Sequence, residues 1–159
     1  MEIIVRKLKE RFLLIIFICI VVFVFYTMFS YKPDVSKTPP LPTIQVGETI
    51  VSVVVADEEN ERIQGLSGVE MLPPNQGMLF IYNQPSYYTF WMKEMLFPLD
   101  FIWINNGYVI DITTDIQPPS YEDEPPNTVI PDSPATMILE VPAGFVSEHN
   151  IQTGDAVIF

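Results

Sequence analysis

Apolar and polar positions change over short distances through most of this chain. ETIVSVVVAD is rich in β-branched residues, GMLFIY and LDFIWI are brief apolar runs, and ATMILEV and AVIF follow near the C-terminal end. Short runs of this kind between turn signals predict strands. LDFIWI and YVIDIT flank Asn105, Asn106 and Gly107, and an Asn-Gly pair supplies the positive φ angles of a tight hairpin. Two short helices interrupt the pattern. DEENERIQGL begins after Asp57, a residue type that caps helix N-termini, has acids in its first turn and ends at Gly65 as a C-cap. A second helix is expected around AGFVSEHN after Pro142. The predicted domain is mainly β: a compact two-sheet β-sandwich or partly open barrel with one or two short helices.

One longer pattern stands apart. FLLIIFICIVVFVFYTMF, residues 12–29, is an apolar run of 18 residues in which Thr27 is the clearly polar member. As a helix it would be about 27 Å long, close to a bilayer's hydrocarbon thickness. Arg6, Lys7, Lys9 and Arg11 precede it and Lys32 and Lys37 follow, so residues 1–11 are expected to stay cytoplasmic while the rest is exported. No small-x-small pattern follows the run, which favours an uncleaved single-pass anchor in the cell membrane over a cleaved signal. Residues 30–45, with four prolines, read as a stiff extended linker, and residues 46–159 as an extracytoplasmic domain.

Charge sharpens this division. From residue 41 onward 17 acids face two bases, Arg62 and Lys93, a net of −15. A surface so acidic repels nucleic acid, which is set aside as a partner. Cys19 lies inside the apolar run, so the domain holds no disulfide and no thiolate chemistry. A single histidine, His149, is too little for the usual zinc sites or a histidine-based triad. Residues 115–134 hold six prolines and five acids and read as a long irregular loop, since proline removes ladder donors.

FWMK, followed after EMLF by PLD, resembles the signature of the domain of unknown function 192 family of small bacterial and archaeal proteins. SVVVAD, ERIQGL, LPPNQGMLFIY, VPAG and TGDAVIF fall in the matching order around it, so the resemblance covers about residues 46–159. It implies a compact, mainly β fold of two packed sheets and implies no activity, because the family is named for lacking one. Relatives usually carry Asn where this chain has Glu94, and a bulky or basic stretch where it has Ser67, Gly68 and Val69; the cysteines many of them hold in the Pro-rich segment are absent from SYEDEPPNTVIP.

The same stretch supplies the candidate chemistry. Alternation through YYTFWMK puts Tyr87, Thr89, Trp91 and Lys93 on one face and Tyr88, Phe90 and Met92 on the other. An ammonium beside an indole would suit a small polar ligand, a glycan or a partner's chain end, which makes Trp91, Lys93, Glu94 and Asp100 the candidate binding set. The structural alternative is an ion pair from Lys93 to Asp100 or Glu94 that merely holds a loop. An enzyme of envelope carbohydrate would use Glu94 and Asp100 as paired carboxylates, and a scaffold subunit would instead use residues 12–29 to meet a partner in the membrane. No cofactor is required; Ca²⁺ on the loop acids Asp115, Glu122, Asp123, Glu124 and Asp132 is the weaker metal reading.

Overall fold

The structure is a computed structural model that describes residues 16–26, 40–121 and 124–159. The chain divides into two units, Met1–Pro40 and Leu41–Phe159. In the first, residues 16–26 form helix α1 with exposed side chains. Among the described residues no helix is long and apolar enough to cross a membrane. Residues 12–15 and 27–29 of the expected anchor lie outside the described residues, as do the basic segment 1–11 and linker residues 30–39.

The second unit is mainly β, as expected. Its strands are β1 (Thr43–Val46), β2 (Thr49–Ala56), β3 (Gln76–Ser86), β4 (Phe90–Trp91), β5 (Leu99–Asn105), β6 (Tyr108–Ile116), β7 (Thr128–Val129), β8 (Ala135–Pro142) and β9 (Val157–Ile158). Helix α2 spans Glu59–Gln64 and α3 Phe145–Glu148. Seven strands form one sheet in the order β6-β5-β8-β3-β2-β1-β9, and β4 with β7 forms a small second sheet. All neighbours are antiparallel except β2 and β3, which run parallel with α2 as their crossover.

The large sheet curls into a half-barrel whose two edges meet at one end. Tyr108 bridges to Ala156, the Val109 amide donates to the Asp155 carbonyl at 2.9 Å, and the Val157 amide donates to Gly107 at 2.8 Å. A right-handed strand twist accumulated over seven strands brings the first and last together, and the bonds satisfy backbone groups that an open edge would leave exposed. The partly open barrel is therefore the form adopted; a sandwich of two comparable sheets is not, because the second sheet has only two short strands. The Asn106-Gly107 turn behaves as its composition predicts, with φ of 51° and 77°. Helix α2 is capped by Glu58, one residue beyond the expected Asp57, because Glu58 and Glu61 exchange a reciprocal capping box.

Each face of the curled sheet buries its own core. Inside the curl lie Ile44, Val46, Val51, Val53, Leu79, Ile102, Ile104, Leu139 and Val141, closed by Phe145 and Val146 of α3. On the other face Phe80, Phe101, Trp103 and Ile138 pack under Phe90 of the small sheet. There Phe90 stands edge-on to Phe80 and Trp103, with centroids 4.9 and 5.7 Å apart, and Phe101 stacks on Trp103. Edge-to-face pairs of this kind add stabilisation beyond the area they bury. Strand β5 is buried on both faces, which explains its unbroken apolar run LDFIWI. Strand β3 approaches β8 so closely that a Cβ on Gly77 would lie 2.6 Å from the Glu140 carbonyl oxygen, a contact only glycine avoids.

Candidate ligand site

The structure separates the candidate residues rather than gathering them. Phe90 and Met92 are buried while Trp91 and Lys93 are exposed, so the alternation expected through FWMK holds. Lys93 pairs with Glu94, Nζ to Oε1 at 3.6 Å, between side chains that are 59% and 66% exposed. An ion pair this exposed is worth little.

Asp100 is wholly buried inside the curl. Its Oδ1 accepts from the Asp115 amide at 2.9 Å and its Oδ2 from the Val146 amide at 3.0 Å. Both oxygens are thus committed to backbone donors, and of the two partners expected for Lys93 it is Glu94, not Asp100, that pairs with it. Glu94 and Asp100 line different cavities.

The loop acids do not gather either. Glu122 and Asp123 lie outside the described residues, and among the described residues no group of three His, Cys, Asp or Glu side chains could hold a metal ion. Glu124 accepts from the Ser120 amide, Asp115 accepts from Gln117, and the Asp132 amide donates to Asp111. The Glu124 and Asp115 carboxylates are thus engaged within their own turns, while Asp132 contributes its backbone amide.

What the structure does build is a cavity of about 270 Å³ between α2, the residues after it, and the aromatic face of the sheet. Phe80, Tyr82, Phe90 and Trp91 supply its aromatic walls, Leu66 and Met95 its aliphatic ones, and Glu140 its most enclosed polar group. Trp91, 53% exposed, stands at the mouth. This is the lower end of the volumes that hold small molecules.

Glu140 lies on β8 between Met78 of β3 and Phe101 of β5. It is 5% exposed. Among the described residues its carboxyl has no hydrogen bond or ion pair, while no fully enclosed side-chain oxygen or nitrogen there lacks a partner. The Glu140 oxygens must therefore open onto the cavity. Burial alone pushes this carboxyl up to about 8, so it is protonated at neutral pH. Tyr82 beside it is also raised, first by burial, against the pull of Arg62. Arg62 sits with Cζ 5.0 Å from the Tyr82 ring centroid and donates to the carbonyls of Asp57 and Ile81.

Sequence reasoning missed Glu140. The available signal was its place: a single acid in the apolar run ATMILEV, at the same strand parity as the core residue Ile138.

A family model for DUF192, described as Uncharacterized ACR, matches residues 43–159. The chain belongs to this family. Its domain also resembles two solved structures, each at 24% identity with a TM-score of 0.66. One, from Sinorhizobium meliloti 1021, is described as a candidate transcription regulator and is aligned over 76% of this chain and 96% of its own. The other, a protein of unknown function from Novosphingobium aromaticivorans DSM 12444, is aligned over 82% and 99%. At this identity the likeness is one of fold. No curated protein matches the sequence. Within the DUF192 domain the FWMK and PLD segments are now placed: the first straps the aromatic face and the second enters the barrel interior.

Two outcomes follow for the buried carboxyls. Asp100→Asn turns one accepting oxygen into an NH₂ that faces a backbone amide, and should cost roughly 2–3 kcal/mol in urea denaturation; wild-type stability would show that the two amides need no acceptor. Glu140 acts through pH. It ionises near 4.5 when unfolded and near 8 when folded, so between those values the folded state holds one more proton. Stability is therefore fully present below the unfolded value and falls by up to about 1.4 kcal/mol per pH unit on the way up to the folded one. Glu140→Gln should remove that slope from the difference between the two proteins, whatever the variant's absolute stability. Parallel pH profiles would contradict the assignment.

Proposed function

We propose that this protein is a membrane-tethered binding module of the DUF192 family whose ligand seat is the aromatic cavity at Glu140. The observation that carries this reading is an almost wholly buried carboxyl with no hydrogen bond or ion pair among the described residues, opening into a cavity lined by four aromatic residues. A buried acid without a hydrogen bond costs stability, and the cost is recovered when a bound molecule supplies the missing partner. Perturbed titratable groups in concave sites concentrate where function is. In this reading Trp91 serves as a stacking surface at the mouth, whereas Lys93, Glu94 and Asp100 do not line this cavity.

The other readings have less support. An enzyme acting on carbohydrate through Glu94 and Asp100 would need two free carboxyl groups on one substrate, and both Asp100 oxygens are engaged by amides. Nucleic-acid binding, suggested by the description of the S. meliloti protein, is opposed by the net charge of −15 from residue 41 onward.

The tether rests on sequence. Residues 12–29, the basic residues before them and the Pro-rich segment after them support a single-pass anchor with the acidic domain outside the cytoplasm. The full-length protein should then stay with membranes through an alkaline carbonate wash, and its domain should be cut by protease added to intact spheroplasts. Release by carbonate, or protection until lysis, overturns the tether. For the cavity, a fragment library screened by thermal shift should give hits whose stabilisation grows with concentration as mass action requires, about 2.7 kcal/mol at a hundredfold excess over Kd. Those hits should be lost in Trp91→Ala and kept in Lys93→Ala. Hits that depend on Lys93 and ignore Trp91 would move the site to the loop.

A further inference from the structure

Resting on the cavity reading above, we infer that its ligand is a small organic ammonium ion, caged by Phe80, Phe90 and Trp91 and neutralised by the Glu140 carboxylate. Three independent observations point to a cation. The first is the wall: aromatic ring faces are negative and attract organic ammonium groups within about 6 Å, most strongly when desolvated. Phe80, Phe90 and Trp91 line one space with Glu140, Trp91 offering the most open ring, while the Tyr82 ring is already engaged by Tyr88, stacked at 3.6 Å, and by Arg62. Within this cavity the fold already shows the interaction once, since the Arg62 guanidinium sits 5.0 Å from the Tyr82 centroid.

The second is the uncompensated acid. Glu140 is buried, opens on the cavity and forms no ion pair among the described residues. Arg62 shares the cavity but is held on the Asp57 and Ile81 carbonyls, and it contributes nothing to the shift of Glu140, which burial alone produces. Its guanidinium is already committed to those carbonyls, which leaves Glu140 in the same cavity for an incoming cation. The third is the field of the domain. Seventeen acids against two bases draw cations toward the surface and repel anions.

This pairing couples binding to a proton. A neutral Glu140 attracts an ammonium weakly and a carboxylate strongly, so entry of the ligand expels the Glu140 proton to solvent. The other titratable or charged groups lining the cavity are Glu59 and Arg62 from α2 and Tyr82 from β3; β4 and β8 add none besides Glu140 itself, and its cross-strand neighbours Met78 and Phe101 are apolar. Glu59 is exposed and Arg62 keeps its charge across the range, so the coupled proton belongs to Glu140.

The test uses choline and its uncharged carbon isostere 3,3-dimethylbutan-1-ol on the full-length protein in detergent, by calorimetry from pH 5.5 to 9. Choline has a fixed charge throughout, so any proton released comes from the protein. The expected result is choline binding that strengthens up to tenfold per pH unit to about pH 8 and then levels, with close to one proton released per ligand in the lower range. The isostere should bind at least tenfold more weakly at pH 8 and without pH dependence. Glu140→Gln should abolish the proton release and the preference for choline. Should that variant fold poorly, Trp91→Leu, altered at an exposed ring, should weaken choline several-fold and leave the pH dependence in place. Equal binding of choline and isostere, or choline binding without proton release, overturns the cation assignment and leaves the cavity as a seat for neutral molecules. If neither probe binds at millimolar concentration while the fragment screen gives cavity hits, the ammonium class falls alone. An empty screen as well removes the cavity reading with it.

Discussion

The two hydrogen bonds of Asp100 hold together the parts on which this fold depends. Strand β6 carries a bulge opposite β5, with Leu99 paired to Ile116 and Phe101 to Thr113, so two residues of β6 face Asp100 alone. Asp115, at φ 56°, is turned out of the ladder there. A bulge leaves an amide without its cross-strand carbonyl, and the Asp100 side chain supplies the acceptor. Its other oxygen takes the Val146 amide in the first turn of α3, whose N-cap, Gly144, has no side chain to offer. One carboxylate thus repairs a bulge and caps a helix from a third element, and the helix it caps places Phe145 and Val146 against the barrel interior.

The aromatic face depends on that arrangement through β5. Alternation along the strand sends Asp100, Ile102 and Ile104 inward and Leu99, Phe101 and Trp103 outward, so fixing Asp100 fixes the rings on which Phe90 rests. The FWMK strap is then seated by apolar residues and by backbone bonds: the Met92 amide donates to Asn127, the Gly68 amide to Glu94, and the Ser67 hydroxyl to Lys93. Lys93 contributes its carbonyl to the fold while its ammonium stays in solvent. The PLD aspartate and the FWMK phenylalanine are therefore two ends of one packing problem. Trp91, between two buried residues of the strap, is left free for the cavity mouth.

Local chemistry was legible where neighbours in sequence decide the outcome. The Asn106-Gly107 turn, the Gly65 cap and the alternation of Phe90, Trp91, Met92 and Lys93 needed only residue types and a period of two. The partners of Asp100 lie 15 and 46 residues away, so the sequence offered nearer and oppositely charged Lys93 instead. Of the two partners offered to Lys93, Glu94 takes it up, and the fold has backbone amides for Asp100. Sheet closure, which joins Tyr108 to Ala156, and the parallel pairing of β2 with β3 are likewise properties of the curl and leave no mark on any single segment. Glu140 was hidden by its company: a strand buried on both faces reads as apolar whatever one position holds.

Asp100 and Glu140 make a comparison that the composition alone would obscure. Both are buried acids on adjacent strands, one on each face of the sheet, in a domain whose other described acids are more exposed. Asp100 has donors for both oxygens, so its burial costs little net and stabilises the fold. Among the described residues Glu140 has none, and glutamine or a leucine would fill the same volume without a titrating group. Position on β8 does not force an acid there, since its neighbours across both strands, Met78 and Phe101, are apolar. A domain that keeps an unsatisfied carboxyl at the floor of an open aromatic cavity is less stable near neutral pH than it could be. Under the proposed reading that cost is recovered when a ligand enters the cavity and supplies the missing partner.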